Sequence, residues 1–384
     1  MKLGIVLDDN ALKGGISQYS FSLTTALSQL GEAQLVIFTK SGTYTESERN
    51  VETRRYEGLP RNFWNRVRKF WSIVRHKPNP ACVARQDLKA FEDIDLIFCP
   101  VGDVYPHFFL KKPFVFTLHD LQEKHLPGFF SFKNLFGRHV ENAVLLESCL
   151  SVLCESQYVR QDILRFFPST SPEKVHVLPV PPFQTKGAAP SLDPLVPKQF
   201  GGKPYLFYPA QFWPHKNHLK LLKAFQIVRK EFPTLRLVCT GGHLYDFKKV
   251  KKATQKLGLN EAVSFPGFVS KETLVQLYLQ AEMLVMPTLF ESVSIPIYEA
   301  FSLGVPVCSS TVTALPEQVG DAGLLFDPLN EQDMAEQILR LLKDPELCQT
   351  LVHRGKEKMK EFTLTAFSEN LAQLVSKLTK GDVL

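Results

Sequence analysis

The chain has 384 residues, which at roughly 100–200 residues per domain suggests two domains, each able to bury a core. Hydrophobic residues make up 44% and charged residues 22%, which excludes a disordered chain, a collagen-like repeat and a disulfide-stapled miniprotein. The 45 Lys and Arg exceed the 39 Asp and Glu by only six, too small an excess for a nucleic-acid binder unless it is concentrated in one place.

The apolar start MKLGIVL stops at Asp8-Asp9, too short for a secretory leader, and no run of 18 apolar residues follows. The seven Cys form no CxxC pair and several lie in apolar runs, as expected of reduced core residues in a cytoplasmic protein without a metal site.

Short aliphatic runs alternate with helical stretches along the whole chain. Leu3–Leu7, Gln34–Phe38, Asp95–Cys99, Phe114–Leu118 and Ser151–Cys154 read as strands of a first domain. The stretch 177–204 is dense in Pro, Gly and small residues and reads as a linker. The rhythm then restarts with Tyr205–Tyr208, Leu235–Thr240, Val263–Phe265, Met283–Met286, Val305–Cys308 and Gly323–Phe326, separated by helices near 215–231, 245–257, 270–281, 295–303 and 331–343. The expected α/β architecture is two Rossmann-like, doubly wound parallel-sheet domains facing a cleft: 1–180, a linker at 181–203, and 204–362, with 363–384 packing back on the first domain. Ligands of such sheets sit beyond the carboxyl ends of the strands, so residues that directly follow strands carry the functional signal.

Four strand exits stand out. Gly14-Gly15 before a helix lets backbone N–H groups approach a phosphate, although the missing GxGxxG speaks against a nicotinamide site. His119 follows Phe114–Leu118 and reads either as a sugar or phosphate contact or as a satisfied boundary histidine. Lys216 stands in the stiff run FWPHKN at the expected start of a helix, where an ammonium and a helix N-terminus together suit a diphosphate. Gly267-Phe268-Val269 offers a tight turn and an apolar surface for a nucleobase edge, or a plain turn. The strongest signal is Glu291 to Glu299 in FESVSIPIYEAFSLGVPV. Pro296 marks a first helical turn, the N–H groups of Ser294 and Ile295 are expected to face an anion, and two carboxylates flank them. A ligand anionic in the middle and polyhydroxylated at both ends fits, and a nucleotide diphosphate sugar is such a ligand.

On these residues the chain resembles the retaining GT-B glycosyltransferases of the group 1 (family 4) type, most specifically over Glu291–Glu299 and loosely over almost its whole length. The resemblance implies a metal-independent hexosyltransferase that uses a UDP-, GDP- or other nucleotide sugar and no cofactor. It implies that Gly15 borders the donor diphosphate, His119 lies near the transferred sugar, Lys216 neutralises the diphosphate, Glu291 holds sugar hydroxyls and Glu299 binds ribose. Two positions depart from the family pattern. Gln211 replaces the usual arginine five residues before the lysine, with His215, His218 or a further basic residue as candidate substitutes, and Ser294 replaces the usual glycine. Two other readings stay open: a nucleotide-sugar epimerase and a non-catalytic GT-B partner subunit.

Segment 61–77, RNFWNRVRKFWSIVRHK, holds six basic residues and no acidic one, so the remainder of the chain balances at 39 against 39. At helical spacing Trp64, Val67, Trp71 and Val74 form one apolar stripe. This pattern fits either an amphipathic helix on an anionic membrane surface or an ordinary helix packed by its Trp stripe. The first alternative implies a lipid-linked acceptor at the cytoplasmic face of a membrane, in surface polysaccharide or glycolipid assembly.

Overall fold

The computed structural model describes residues 1–7, 15–31, 33–44, 51–59, 63–75, 77, 79, 82–182 and 202–379. Gly14, Arg61 and most of the linker lie outside them. The chain divides into two compact units, Met1–Pro181 with Thr363–Leu384, and Pro182–Phe362.

The first unit is built on seven parallel strands: β1 (Lys2–Val6), β2 (Gln34–Thr39), β3 (Glu52–Arg55), β4 (Leu96–Cys99), β5 (Phe114–Thr117), β6 (Ser151–Cys154) and β7 (Val175–Val177). Their order is β3-β2-β1-β4-β5-β6-β7. The inner strands read as continuous apolar runs because helices cover both faces of a parallel sheet; every residue of β4, β5 and β6 is buried. The outermost strands β3 and β7 are additional to those read from the sequence. Strand β3 is ETRR, partly exposed and charged, the composition that protects a sheet edge and that carries no hydrophobic signal. The terminal helix Leu364–Thr379 belongs to this unit: it buries Phe367, Leu371, Leu374 and Val375 on one stripe, and Phe367 meets Tyr19 of the helix Gly15–Ser28 edge-on at 6.3 Å.

The second unit holds β8 (Tyr205–Pro209), β9 (Arg236–Thr240), β10 (Val263–Gly267), β11 (Met283–Met286), β12 (Val307–Ser310) and β13 (Leu324–Phe326), all parallel, in the order β10-β9-β8-β11-β12-β13. Strand β12 begins two residues later than the run Val305–Cys308 suggests: the preceding Pro306 has no N–H for a ladder and enters only through its carbonyl, which accepts from Leu284 N. The helix Ile295–Leu303 stops at Gly304, whose φ of 71° forms a left-handed cap. In both units the strand order reverses beside the first strand, between β1 and β4 and between β8 and β11. The crevice at such a reversal is where doubly wound sheets bind ligands.

Candidate functional site

In the second unit the loops that leave β8 and β11 flank the reversal point. Lys216 is not in a helix: it ends a 3-10 turn, Pro214–Lys216, and the left-handed Asn217 (φ 60°) separates it from the helix His218–Val228. That bend is locked from outside. Asn217 Nδ2 donates to the carbonyls of Pro287 and Pro328 at 2.8 and 2.9 Å, and Leu289 N and Thr288 Oγ1 both donate to the His215 carbonyl. The two strand exits are thereby zipped together, and Lys216 Nζ donates to Glu291 Oε1 at 2.5 Å across 75 residues of sequence. Both side chains are mostly buried. An ammonium keeps two further donors, so this pair can exchange its internal bond for contacts to an oxyanion and to hydroxyls.

The backbone around Glu291 is fixed by residues that sequence reasoning missed. The Thr313 hydroxyl accepts from Glu291 N at 3.0 Å and donates to the Glu291 carbonyl at 2.6 Å. Gln318 clamps Ser294, accepting from its N–H at 2.8 Å and donating to its carbonyl at 2.7 Å. The expectation that the Ser294 N–H faces an anion is therefore corrected, because the Gln318 amide consumes it. What the helix Ile295–Leu303 offers at its N-terminus is instead the Ser294 Oγ, which is buried and has no hydrogen-bond partner among the described residues. Ile295 is itself buried at the first turn. An orphan hydroxyl at the positive end of a helix is a ready partner for a phosphate oxygen.

Glu299, two turns on, accepts from the Tyr278 hydroxyl at 2.7 Å, which aims its carboxylate. Burial pushes its pKa up, against the opposing effects of Tyr278 and Lys271. At β10, Gly267 adopts φ 79° and its carbonyl accepts from Gly241 N. Phe268 beyond it is 62% exposed, an apolar face open for stacking, and Val269 is partly buried.

Gln211 supplies no cation. Its Oε1 accepts from Gly242 N at 3.2 Å and fixes the Gly241-Gly242 turn, in which a Cβ on Gly241 would stand 2.3 Å from the Ala210 carbonyl oxygen. Nor do the two neighbouring histidines replace the arginine. Burial first, and the charge of Lys216 second, lower His215 and His218 to about 3, so both rings are neutral near pH 7.

In the first unit His119 follows β5 and is tied at both nitrogens: Nδ1 lies 2.7 Å from Glu155 Oε2 and Nε2 lies 2.7 Å from the Pro100 carbonyl. A carboxylate and a carbonyl only accept, so both ring nitrogens donate, as in an imidazolium. Burial would depress the pKa, but the Glu155 charge and hydrogen bond, with the Pro100 carbonyl, raise it above the ordinary histidine value. Tyr19 packs edge-on against the ring at 5.0 Å. A sugar hydroxyl that accepted from Nε2 would take the place of the Pro100 carbonyl. Gly15 begins the helix Gly15–Ser28 and is exposed.

Comparison with known families places the chain. The model of Glycosyltransferase Family 4 matches residues 13–181 and that of Glycosyl transferases group 1 matches residues 196–358, together most of the chain. The chain belongs to the group 1 glycosyltransferases. It is 29% identical over 269 residues to O-antigen chain mannosyltransferase B of Escherichia coli, covering 67% of this chain and 69% of that protein. Sucrose-phosphate synthase from Thermosynechococcus elongatus shares its fold with a TM-score of 0.77 at 20% identity, covering 99% of both chains. Anabaena Alr3699/HepE in complex with UDP and glucose shares it with a TM-score of 0.77 at 17% identity, covering 98% of this chain and 100% of that one. The fold is GT-B.

One feature of this glycosyltransferase is unusual for a globular unit. The helix Phe63–Val74, shorter than the basic segment 61–77, turns its polar Asn65 and Ser72 and its Ile73 inward, while Trp64 (69% exposed), Phe70, Trp71 (50%) and Val74 face solvent. Val67 leaves the expected stripe and is partly buried. The alternative in which the Trp stripe packs the helix onto its domain is excluded. Beside it, Phe70 lies 6.4 Å from Phe136 of the helix Phe132–Ser148, whose Phe132 is 83% exposed. No helix among the described residues is long and apolar enough to cross a membrane.

Proposed function

We propose that this glycosyltransferase moves a hexose from a nucleotide diphosphate sugar to an acceptor hydroxyl with retention at the anomeric carbon and without a metal ion. The observation that carries the reading is the Lys216–Glu291 pair at the β8–β11 reversal, beside the orphan Ser294 Oγ at a helix N-terminus. Lys216 and that helix end meet the charge that develops on the leaving diphosphate, Glu291 takes sugar hydroxyls, Glu299 takes ribose hydroxyls, and Phe268 covers a base edge. The departing phosphate accepts the acceptor proton, so no separate protein base is needed. HepE, whose structure holds UDP and glucose, supports a nucleotide-sugar donor, and the O-antigen mannosyltransferase supports an acceptor in surface polysaccharide assembly.

The exposed Trp face of Phe63–Val74, with Arg68 in the middle of the helix and Arg75 just beyond its end, supports a peripheral position on an anionic membrane at its cytoplasmic face. A panel of nucleotide sugars tests the whole reading: one donor raises Tm and is turned over in EDTA with an axial or equatorial anomeric bond preserved by NMR. Unchanged turnover in both Lys216→Ala and Glu291→Ala sinks it. The Gln211 substitution, with His215 and His218 neutral, favours a second reading as a partner subunit that binds a donor without turning it over, and binding without turnover in the same panel would select it.

A further inference from the structure

A cavity of about 530 Å³ opens in the first unit at the carboxyl ends of β2, β3 and β4, and His119 is not among the residues that line it. Lys40, Arg55 and Lys69 line it, together with Tyr56, Gly58 and Tyr105. The floor is built rather than incidental. Asp87, fully buried, accepts from the backbone N–H of Glu57 and Gly58 at 2.9 and 3.0 Å and from the Tyr105 hydroxyl at 2.7 Å, which pins the loop after β3 to the start of the helix Val104–Leu110.

Adjacent arginines on β3 show what is unusual about the lining. Arg54 uses four of its five N–H donors: it donates to Glu52 at 2.6 Å, to the Ala90 carbonyl at 2.7 Å and to Asp93 at 2.6 and 3.0 Å. Arg55, on the opposite face of the strand, has no carboxylate partner among the described residues, and neither has Lys40. Lys69 is held at 3.4 Å from Glu141. Two carboxylates also reach the lining: Asp103, occupied as the cap of Val104–Leu110 by accepting from Tyr105 N at 3.0 Å, and Glu57, which is exposed as Lys40 and Arg55 are. Lys40 and Arg55 are thus the two lining cations without a carboxylate partner among the described residues, and phosphate oxygens are the acceptors that a guanidinium fork and an ammonium suit.

Lys69 adds a second constraint. It sits on the helix whose next residues, Phe70 and Trp71, are exposed, so a ligand anchored by its phosphate in the cavity has apolar surface beside it. We propose that this cavity is a subsite for the phosphate or diphosphate ester of an amphiphilic acceptor, with Lys40 and Arg55 as its principal ligands. This deepens the glycosyl-transfer reading and depends on it only for the word acceptor.

Isothermal titration with farnesyl diphosphate, inorganic pyrophosphate and farnesol tests it, on the wild type, on Lys40→Gln/Arg55→Gln and on Lys216→Ala. Farnesyl diphosphate is expected to bind the wild type and Lys216→Ala alike, and the double variant at least tenfold more weakly, with Arg55→Lys partly restoring affinity. Farnesol is expected to bind none of them comparably. Pyrophosphate binding lost in the double variant as well would assign the subsite to soluble phosphate esters, whereas a preference for the farnesyl ester assigns it to a lipid carrier. Equal binding of farnesyl diphosphate by wild type and double variant, or a loss confined to Lys216→Ala, overturns the proposal. Thermal stabilisation by nucleotide sugars, followed in the same proteins, reports on the donor site separately: it should survive Lys40→Gln/Arg55→Gln and fail in Lys216→Ala.

Discussion

The two units carry the same kind of device at their strand ends and use it differently. Each pairs a cation from one strand exit with a carboxylate from another, Lys216 with Glu291 and His119 with Glu155. The pairs stand at different places in their sheets, one after β8 and β11 at the reversal and the other after β5 and β6 to one side of it, so the likeness comes only from each joining the exits of two neighbouring parallel strands. The difference lies in what is left over. An ammonium paired once still has donors to spend on a ligand, whereas an imidazolium that also donates to the Pro100 carbonyl has none. One pair is open to a ligand, and the other is closed on its own scaffold.

The largest effect expected from breaking this symmetry is at the open pair. If Lys216 meets the charge on the leaving group as proposed, Lys216→Ala should lower turnover by about 10²–10³-fold, with far-UV circular dichroism unchanged. His119→Ala tests the closed pair in the same assay. A loss as large as that of Lys216→Ala would show that the Pro100 bond is exchanged during turnover and that the pairs are equivalent after all.

Next in size is the clamp behind the open pair. Gln318 is buried and makes both of its bonds to the Ser294 backbone. Gln318→Ala leaves a buried N–H and carbonyl unpaired and should cost about 1–3 kcal/mol in urea unfolding. Gln318→Glu, which keeps the acceptor and loses the donor, should fall between wild type and alanine.

How far this was legible in the sequence follows from the physics of each residue. Lys216 and Glu291 stood out because they lie in the loops that follow apolar runs readable as buried parallel strands, Glu299 because it stands eight residues after Glu291 in the helix Ile295–Leu303, and that helix was announced by Pro296 and closed by Gly304. Glu155, Thr313 and Gln318 were not, since nothing local distinguishes them: their roles come from strand order, which brings chain segments 22 to 36 residues apart into hydrogen-bond range. The same limit applies to Phe63–Val74. Periodicity shows that a helix has an apolar face, but only packing decides whether that face turns inward, and here Ile73 with two polar residues took the inner side.

That outward face yields the third test. Trp64→Ser/Trp71→Ser should reduce flotation with vesicles containing anionic lipid several-fold while leaving stability nearly unchanged, because the removed rings are exposed. Raising the salt should weaken what remains, since the basic residues act through a screened surface potential. Equal flotation of variant and wild type would remove the membrane from the account.

The smallest effect concerns the closed pair again and is a matter of pH. His119 has a folded pKa raised above its unfolded value, so it stabilises the fold fully below the unfolded value of about 6.5 and loses that contribution as pH rises through the folded one. His215 and His218 act in the opposite direction: lowered to about 3, they favour the folded state above pH 6.5 and withdraw support as pH falls below it. Stability should therefore decline on both flanks for separate reasons. Glu155→Gln removes the charge that holds the proton on His119 and should flatten the alkaline flank of the urea-unfolding profile while leaving the acid flank in place. If the alkaline slope persisted in Glu155→Gln, His119 would not be the group responsible, and its ring would be free to donate or accept as a ligand requires, which would make the two strand-end pairs alike in function although they stand at different places in their sheets.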